Sequence, residues 1–262
     1  MSTRYTKESL IQKLKEISEK GWILGGRQGN AGGVGNTLED ELGIEENNLP
    51  IPNAAEWELK CQRKNTSSLT TLFHMEPSPR AMKLVPTMLL INYGWPHEEA
   101  GKKYPKNEMS FRQTIGCLSR SDRGFKVVID REEQKVKISF DSKSVSSRHA
   151  EWLTSVKNRT GLKDLDPQPY WGFDDLYHKA GTKLLNCFFV RADVKIEGGK
   201  EYYQYDEIKI LQKFTMDRFL SAMERGFILV DFDARTGHNH GTKFRIKQNS
   251  WPELYEIVKD VE

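Results

Sequence analysis

Leu10, Ile11, Leu14 and Ile17 recur at helical spacing, with Thr6 placed to cap the helix and Gly21 to stop it. A glycine-rich loop follows, then a short helix across Leu38 to Leu42 closed by Gly43. The period then falls to two. "AEWELKCQ" alternates charged and apolar residues and reads as a half-buried strand, with "SLTTLFHM" as its neighbour. "FKVVID" and "KVKISF" form one hairpin; "LLNCFFVRADVKI" and "EYYQYDEIKI", joined by Gly198-Gly199, form another. "TMDRFLSAMERG" reads as a helix, "FILVDFDA" and "TKFRIK" as paired strands, and "WPELYEIVKD" as a closing helix with Pro252 near its first turn. The polar stretches 97–110 and 141–148 read as loops. The sum is a mixed α/β chain, one domain over 1–262, with two lobes around a cleft.

Composition narrows the function without naming it. The net charge of +3 is too small to demand a nucleic-acid partner, so any basic surface must come from arrangement. Three scattered cysteines without a CxxC pair oppose a disulfide scaffold and fit a reducing compartment. The start "MSTRYTKESL" lacks the apolar core of a signal peptide, and no apolar run could span a bilayer, so a cytoplasmic protein is expected.

The glycine loop "GNAGGVGNTLEDELGI" invites a phosphate-cradling reading that its residues refuse. Setting Thr37 at the last position of G-x-x-x-x-G-K-[ST] puts Asn36 where the lysine belongs and Asn30 where the first glycine belongs. The one cation of that motif is missing. "KVVID" and "ILVDFD" resemble acid-ended, magnesium-holding strands, but such strands are common.

"EWELK" carries the sharper chemistry. On a strand, Glu56, Glu58 and Lys60 share one face, and Trp57, Leu59 and Cys61 the other. Clustered carboxylates suit magnesium, which prefers oxygen ligands, and an adjacent ammonium suits a phosphodiester gaining charge. A solvated strand face gives the same pattern. In "GHNHGTKFRI", His238, His240, Thr242 and Arg245 sit on a glycine-flanked loop able to approach a groove, where arginine pairs with guanine. A histidine-bearing turn is the plain alternative. A zinc half-site is opposed by the lack of nearby cysteines. Arg80, Lys83, Lys102, Lys103 and Lys106 are candidates for phosphate contact, and His74 for the cleft. Trp95, Trp152, Trp171 and the Tyr202–Tyr205 group read as core.

In order along the chain, "GNAGGVGNTLEDELGI", "NLPIPN", "EWELK", "SLTTLFHMEPSPR", "YYQYDEIKI" and "GHNHGTKFRI" together resemble the MvaI/BcnI restriction endonucleases. These are PD-(D/E)XK nucleases related to the nicking enzyme MutH, and the likeness covers roughly 22–93 and 171–247. It implies a PD-(D/E)XK nuclease-like mixed central sheet flanked by helices, with a catalytic lobe over about 1–145 and a recognition lobe over about 146–262. It also implies a type II restriction endonuclease, dependent on Mg2+, that hydrolyses double-stranded DNA at a short CCNGG-like site to leave 5′-phosphate and 3′-hydroxyl ends. A monomer is implied, with a cognate DNA methyltransferase in the host. Metal binding falls on Glu58 and catalysis on Lys60, while Glu39 belongs to the surroundings of the site. Asn36 and Glu39 also stand at the spacing of a helix capping box. The family's upstream aspartate is here Asn53, which brings no negative charge, and Glu56 is placed to replace it. His238, His240 and Arg245, with Thr242 in the same segment, take the base-reading role. Two alternatives stay open: a MutH-like nicking endonuclease of mismatch repair, and a catalytically weakened sequence-specific DNA-binding protein.

Overall fold

The computed structural model describes residues 5–26, 32–44 and 57–261. Up to residue 69 the chain forms α1 (Lys7–Glu19), β1 (Ile23–Leu24), α2 (Gly33–Leu42) and β2 (Glu58–Arg63). Next come β3 (Thr70–His74), a π turn over Val85–Leu89 leading into α3 (Leu90–Tyr93), β4 (Trp95–Pro96), β5 (Met109–Ile115), β6 (Arg123–Asp130) and β7 (Lys135–Val145). After α4 (Ala150–Thr160), β8 (Tyr170–Gly172) and α5 (Phe173–Leu184) follow β9 (Asn186–Glu197) and β10 (Lys200–Phe214). The chain ends through α6 (Met216–Glu224), β11 (Ile228–Arg235), β12 (His238–Asn239), β13 (Lys243–Ile246) and β14 (Tyr255–Asp260). The mixed α/β class read from the alternating periods is the class observed.

The chain forms two compact units, each assembled from separate stretches of sequence. One gathers 1–69, 179–218 and 247–262; the other gathers 70–178 and 219–246. A single cut near residue 145, as the sequence suggested, does not separate them, because the chain leaves each unit and returns to it.

In the first unit the sheet runs β1-β10-β9-β2, with β14 also on β10. β2 is parallel to β9, pairing Glu58 with Cys187 and Lys60 with Phe189. The hairpin of β9 and β10 turns on Gly198 and Gly199, whose φ values of 58° and 76° suit a two-residue turn matching strand twist. Leu10, Leu14 and Ile17 of α1 and Val34, Leu38 and Leu42 of α2 pack on Trp57, Leu59, Phe188 and Val190. Thr6 caps α1 as expected, its hydroxyl accepting from Ser9 N at 3.2 Å while Ser9 Oγ accepts from Thr6 N at 2.9 Å. Thr6→Ala should cost about 1 kcal/mol, read as a lower urea midpoint at unchanged slope.

Three sequence readings change here. α2 begins at Gly33, not Leu38; its N-cap is Gly32 without a side-chain bond, so Asn36 and Glu39 form no capping box. Burial of Val34, Leu38 and Leu42 on one face outweighs the poor helix propensity of the glycines. "WPELYEIVKD" is a 3-10 turn over Gln248–Leu254 followed by β14, not a helix. Pro252 withholds a donor inside that turn, and the exposed edge of β10 pairs Leu211 with Val258. Residues 141–145, read as loop, prolong β7.

The second unit holds a sheet ordered β3-β13-β11-β5-β4, with β12 on β11, and a smaller one ordered β6-β7-β8. Its interior is aromatic: Phe73, Phe111, Phe125, Trp171, Phe232 and Phe244 are all buried. Trp152 and Trp171, and Tyr203 and Tyr205 in the first unit, are core residues as expected.

Candidate functional site

The alternation of β2 divides its side chains as its sequence demands. Trp57, Leu59 and Cys61 face the helices, and Glu58 and Lys60 lie on the opposite face. Glu58 is 2% exposed, and its Oε1 accepts from Lys60 Nζ at 2.5 Å. Its other oxygen, Oε2, is buried with no hydrogen-bond partner among the described residues. A carboxylate held this way is costly unless a cation or donor meets the second oxygen. Beside it stand Cys187 and Tyr255. Burial pushes both above their ordinary values, and the Glu58 carboxylate adds to the effect on each, while Lys60 opposes it at the thiol.

Glu39 lies seven residues into α2, and its carboxylate acts on Cys61, whose thiol is raised first by burial. Cys61 belongs to the strand face opposite Glu58. Asn53 and Glu56, the other expected metal positions, lie outside the described residues. Among the described residues no group of three or more His, Cys, Asp or Glu could hold a metal ion. Cys61, Cys117 and Cys187 are free thiols, Cys117 raised to about 11 by burial, and none is a ready nucleophile at neutral pH.

The second unit carries the expected base-reading residues. His238 and His240 are exposed, with ring centroids 4.1 Å apart and edges turned to faces. His240 N donates to Asp233 O at 2.9 Å, and Gly241 takes φ +85°, so the loop turns sharply before β13. Thr242, expected to face DNA, is wholly buried; its amide donates to Glu76 Oε1 at 2.8 Å. Its place is inside the loop, not on its surface.

Arg245 Nη1 lies 3.3 Å from Asp231 Oδ2, and Lys243 Nζ 3.5 Å from Asp233 Oδ2. Arg112 reaches Asp233 at 2.8 Å, and Thr114 donates to Asp231 at 2.9 Å. The acids of "ILVDFD" are thus partners of basic side chains on neighbouring strands, not an acid-ended metal strand. Their spacing of two was the available signal, since it puts both on one face of β11. Arg80 is exposed and pairs with Asp175 at 3.2 Å. An open cavity of about 860 Å³ in this unit is lined by Arg80, Lys83, Ile91, Arg159, His238 and Asn239, among others. Lys102, Lys103 and Lys106 are exposed, and His74 ends β3 opposite Lys243. Glu76 drew no notice in the sequence, because nothing local shows that a carboxylate after β3 meets an amide 166 residues away.

The model of the MvaI/BcnI restriction endonuclease family matches residues 11–255. Among solved structures, a complex of restriction endonuclease MvaI with its cognate DNA substrate is 27% identical, covers 98% of this chain and 100% of that one, and superposes with a TM-score of 0.76. Restriction endonuclease MvaI in the absence of DNA, also 27% identical, covers 100% of both chains with a TM-score of 0.57. Among curated proteins no sequence matches.

Proposed function

This chain belongs to the MvaI/BcnI restriction endonuclease family, and from that membership we propose a magnesium-dependent type II enzyme that hydrolyses both strands of a short, specific duplex site. The observation that carries the proposal is the buried Glu58 carboxylate, one oxygen paired with the half-buried Lys60 and the other left over. That oxygen fits a hard cation, with Asn53 and Glu56 supplying further oxygens. Bound there, magnesium would acidify a water and screen charge on the phosphate. Glu58 holds Lys60 Nζ by a charge-assisted bond, which keeps the ammonium aimed. Lys60 then offers a fixed positive charge to the oxygens that gain electrons as the bond to phosphorus is exchanged. Release of the 3′ oxygen leaves 5′-phosphate and 3′-hydroxyl ends.

In this reading His238 and His240 donate to base edges of a CCNGG-like site, and Arg245 exchanges Asp231 for a guanine. Arg80 takes a backbone phosphate, and the exposed lysines of 102–106 add positive charge. The protein acts as a monomer in the cytoplasm, beside a methyltransferase that protects host DNA. No helix among the described residues is long and apolar enough to cross a membrane.

Plasmid DNA incubated with the protein and magnesium, against an EDTA control, tests this directly. Discrete fragments whose sequenced ends share one site are expected. Specific binding with no cutting would replace the enzyme by a weakened DNA-binding protein, the reading that Asn53 favours. Nicking only in the presence of a mismatch-repair partner would favour the MutH-like alternative. Arg245→Ala should weaken discrimination of one base pair by about 1–3 kcal/mol, measured as the ratio of dissociation constants for two duplexes. An unchanged ratio would remove Arg245 from the reading head.

A further inference from the structure

We propose that Glu76 is a positioning residue for sequence specificity: its carboxylate sets the Asn239–Thr242 turn that holds His238 and His240 toward DNA. The proposal rests on the base-reading role given to that loop and names what holds the loop in shape.

Glu76 Oε1 accepts from Thr242 N at 2.8 Å and from Asn239 Nδ2 at 3.3 Å. The Asn239 side chain is tied at its other end, its Oδ1 accepting from Gly241 N at 3.0 Å. One carboxylate oxygen thus bridges both ends of a turn that has Gly241 at φ +85° in its middle. A Cβ on Gly241 would stand 3.4 Å from His74 Cδ2 and 3.7 Å from Glu76 Oε1, so the turn lies closely against both side chains.

The base under Glu76 is firm. Met75 N donates to Thr242 O at 2.9 Å, the Trp171 indole donates to Met75 O at 3.0 Å, and Ser78 N donates to Tyr170 O at 2.7 Å. Glu76 therefore projects from a segment pinned on both sides, which is what a positioning group needs. His238 and His240 are themselves exposed and ride on the turn, so their direction follows from its backbone. Glu76 Oε2 is buried with no partner among the described residues, so the carboxylate has been desolvated for the sake of contacts made by Oε1 alone. A charged acceptor gives stronger bonds to amides than a neutral one, and loss of the pair frees the turn without touching Glu58 or Lys60.

The test is a binding measurement, so it does not depend on cleavage. Duplexes are selected from a randomised pool by the unaltered protein. Dissociation constants are then measured for the selected duplex, for a copy with one base pair changed, and for unrelated duplex. Glu76→Ala should shrink the selected-to-changed ratio by about tenfold or more, with binding to unrelated duplex unchanged. Glu76→Gln keeps an acceptor and should restore most of the ratio. Asn239→Ala, at the surface end of the same bond, should also lower it, and it carries the test if Glu76→Ala does not fold. A ratio unchanged in Asn239→Ala or in folded Glu76→Ala, or equal weakening on every duplex, overturns the proposal. His240→Ala separates the two layers: if it lowers the ratio and the Glu76 variants do not, the loop reads bases without this support. If the pool yields no preferred sequence, both readings fall together.

Discussion

Lys60→Ala is expected to cut DNA at least about 10²–10³-fold more slowly while binding its site with unchanged preference. The ammonium lies 2.5 Å from a carboxylate that is 2% exposed, so its position is set by the fold and not by a flexible stem. A preorganised charge of this kind acts on the transition state because it needs no rearrangement when charge moves onto the phosphate oxygens. Binding should survive, because the residues assigned to base reading, His238, His240 and Arg245, stand on β12, β13 and the loop between them, none of which contains Lys60. The substitution has a folding cost too. Glu58 loses its partner and keeps a buried charge, which costs about 1–3 kcal/mol. The double variant Glu58→Gln with Lys60→Ala removes that charge, so it should regain stability without regaining cleavage. Wild-type cutting by Lys60→Ala would take the active site away from β2.

Phe244→Ala should destabilise the unit of 70–178 and 219–246 by about 3–5 kcal/mol, read as a fall in the guanidinium midpoint. Phe244 has no exposed surface. Its ring centroid lies 5.0 Å from Phe73, 5.1 Å from Trp171 in a T-shaped contact, and 6.0 Å from Phe219. Truncation leaves a cavity among rigid rings that cannot close on it, so both transfer and cavity terms count. The same strand carries Lys243 and Arg245 on its polar face, and it pairs β3 with β11. Weakened packing should therefore loosen the two basic side chains as well. A loss under about 1 kcal/mol would mean that the aromatic cluster relaxes around the hole.

Period-two patterning in "EWELK" was enough to divide Glu58 and Lys60 from Trp57, Leu59 and Cys61, because successive strand residues point to opposite faces whatever the fold. The cap at Thr6, the Gly198–Gly199 turn and the pairing of "FILVDFDA" with "TKFRIK" were legible too. Each is decided by residues within a few positions of one another or by one apolar stripe. The start of α2, the conversion of the last segment to β14, the burial of Thr242 and the ion pair of Arg245 with Asp231 were not.

Those features depend on groups far away in sequence. β14 exists because β10 offers an unpaired edge, and its Tyr255 meets Phe214, 41 positions earlier by number. Glu76 has meaning only once β3 and β13 lie side by side. By itself the sequence determined which side chains share a face, since that is local geometry. Tertiary structure decided the distant partnerships, such as Glu76 with Thr242 and β14 with β10, since those desolvated groups are satisfied by whatever the fold brings near.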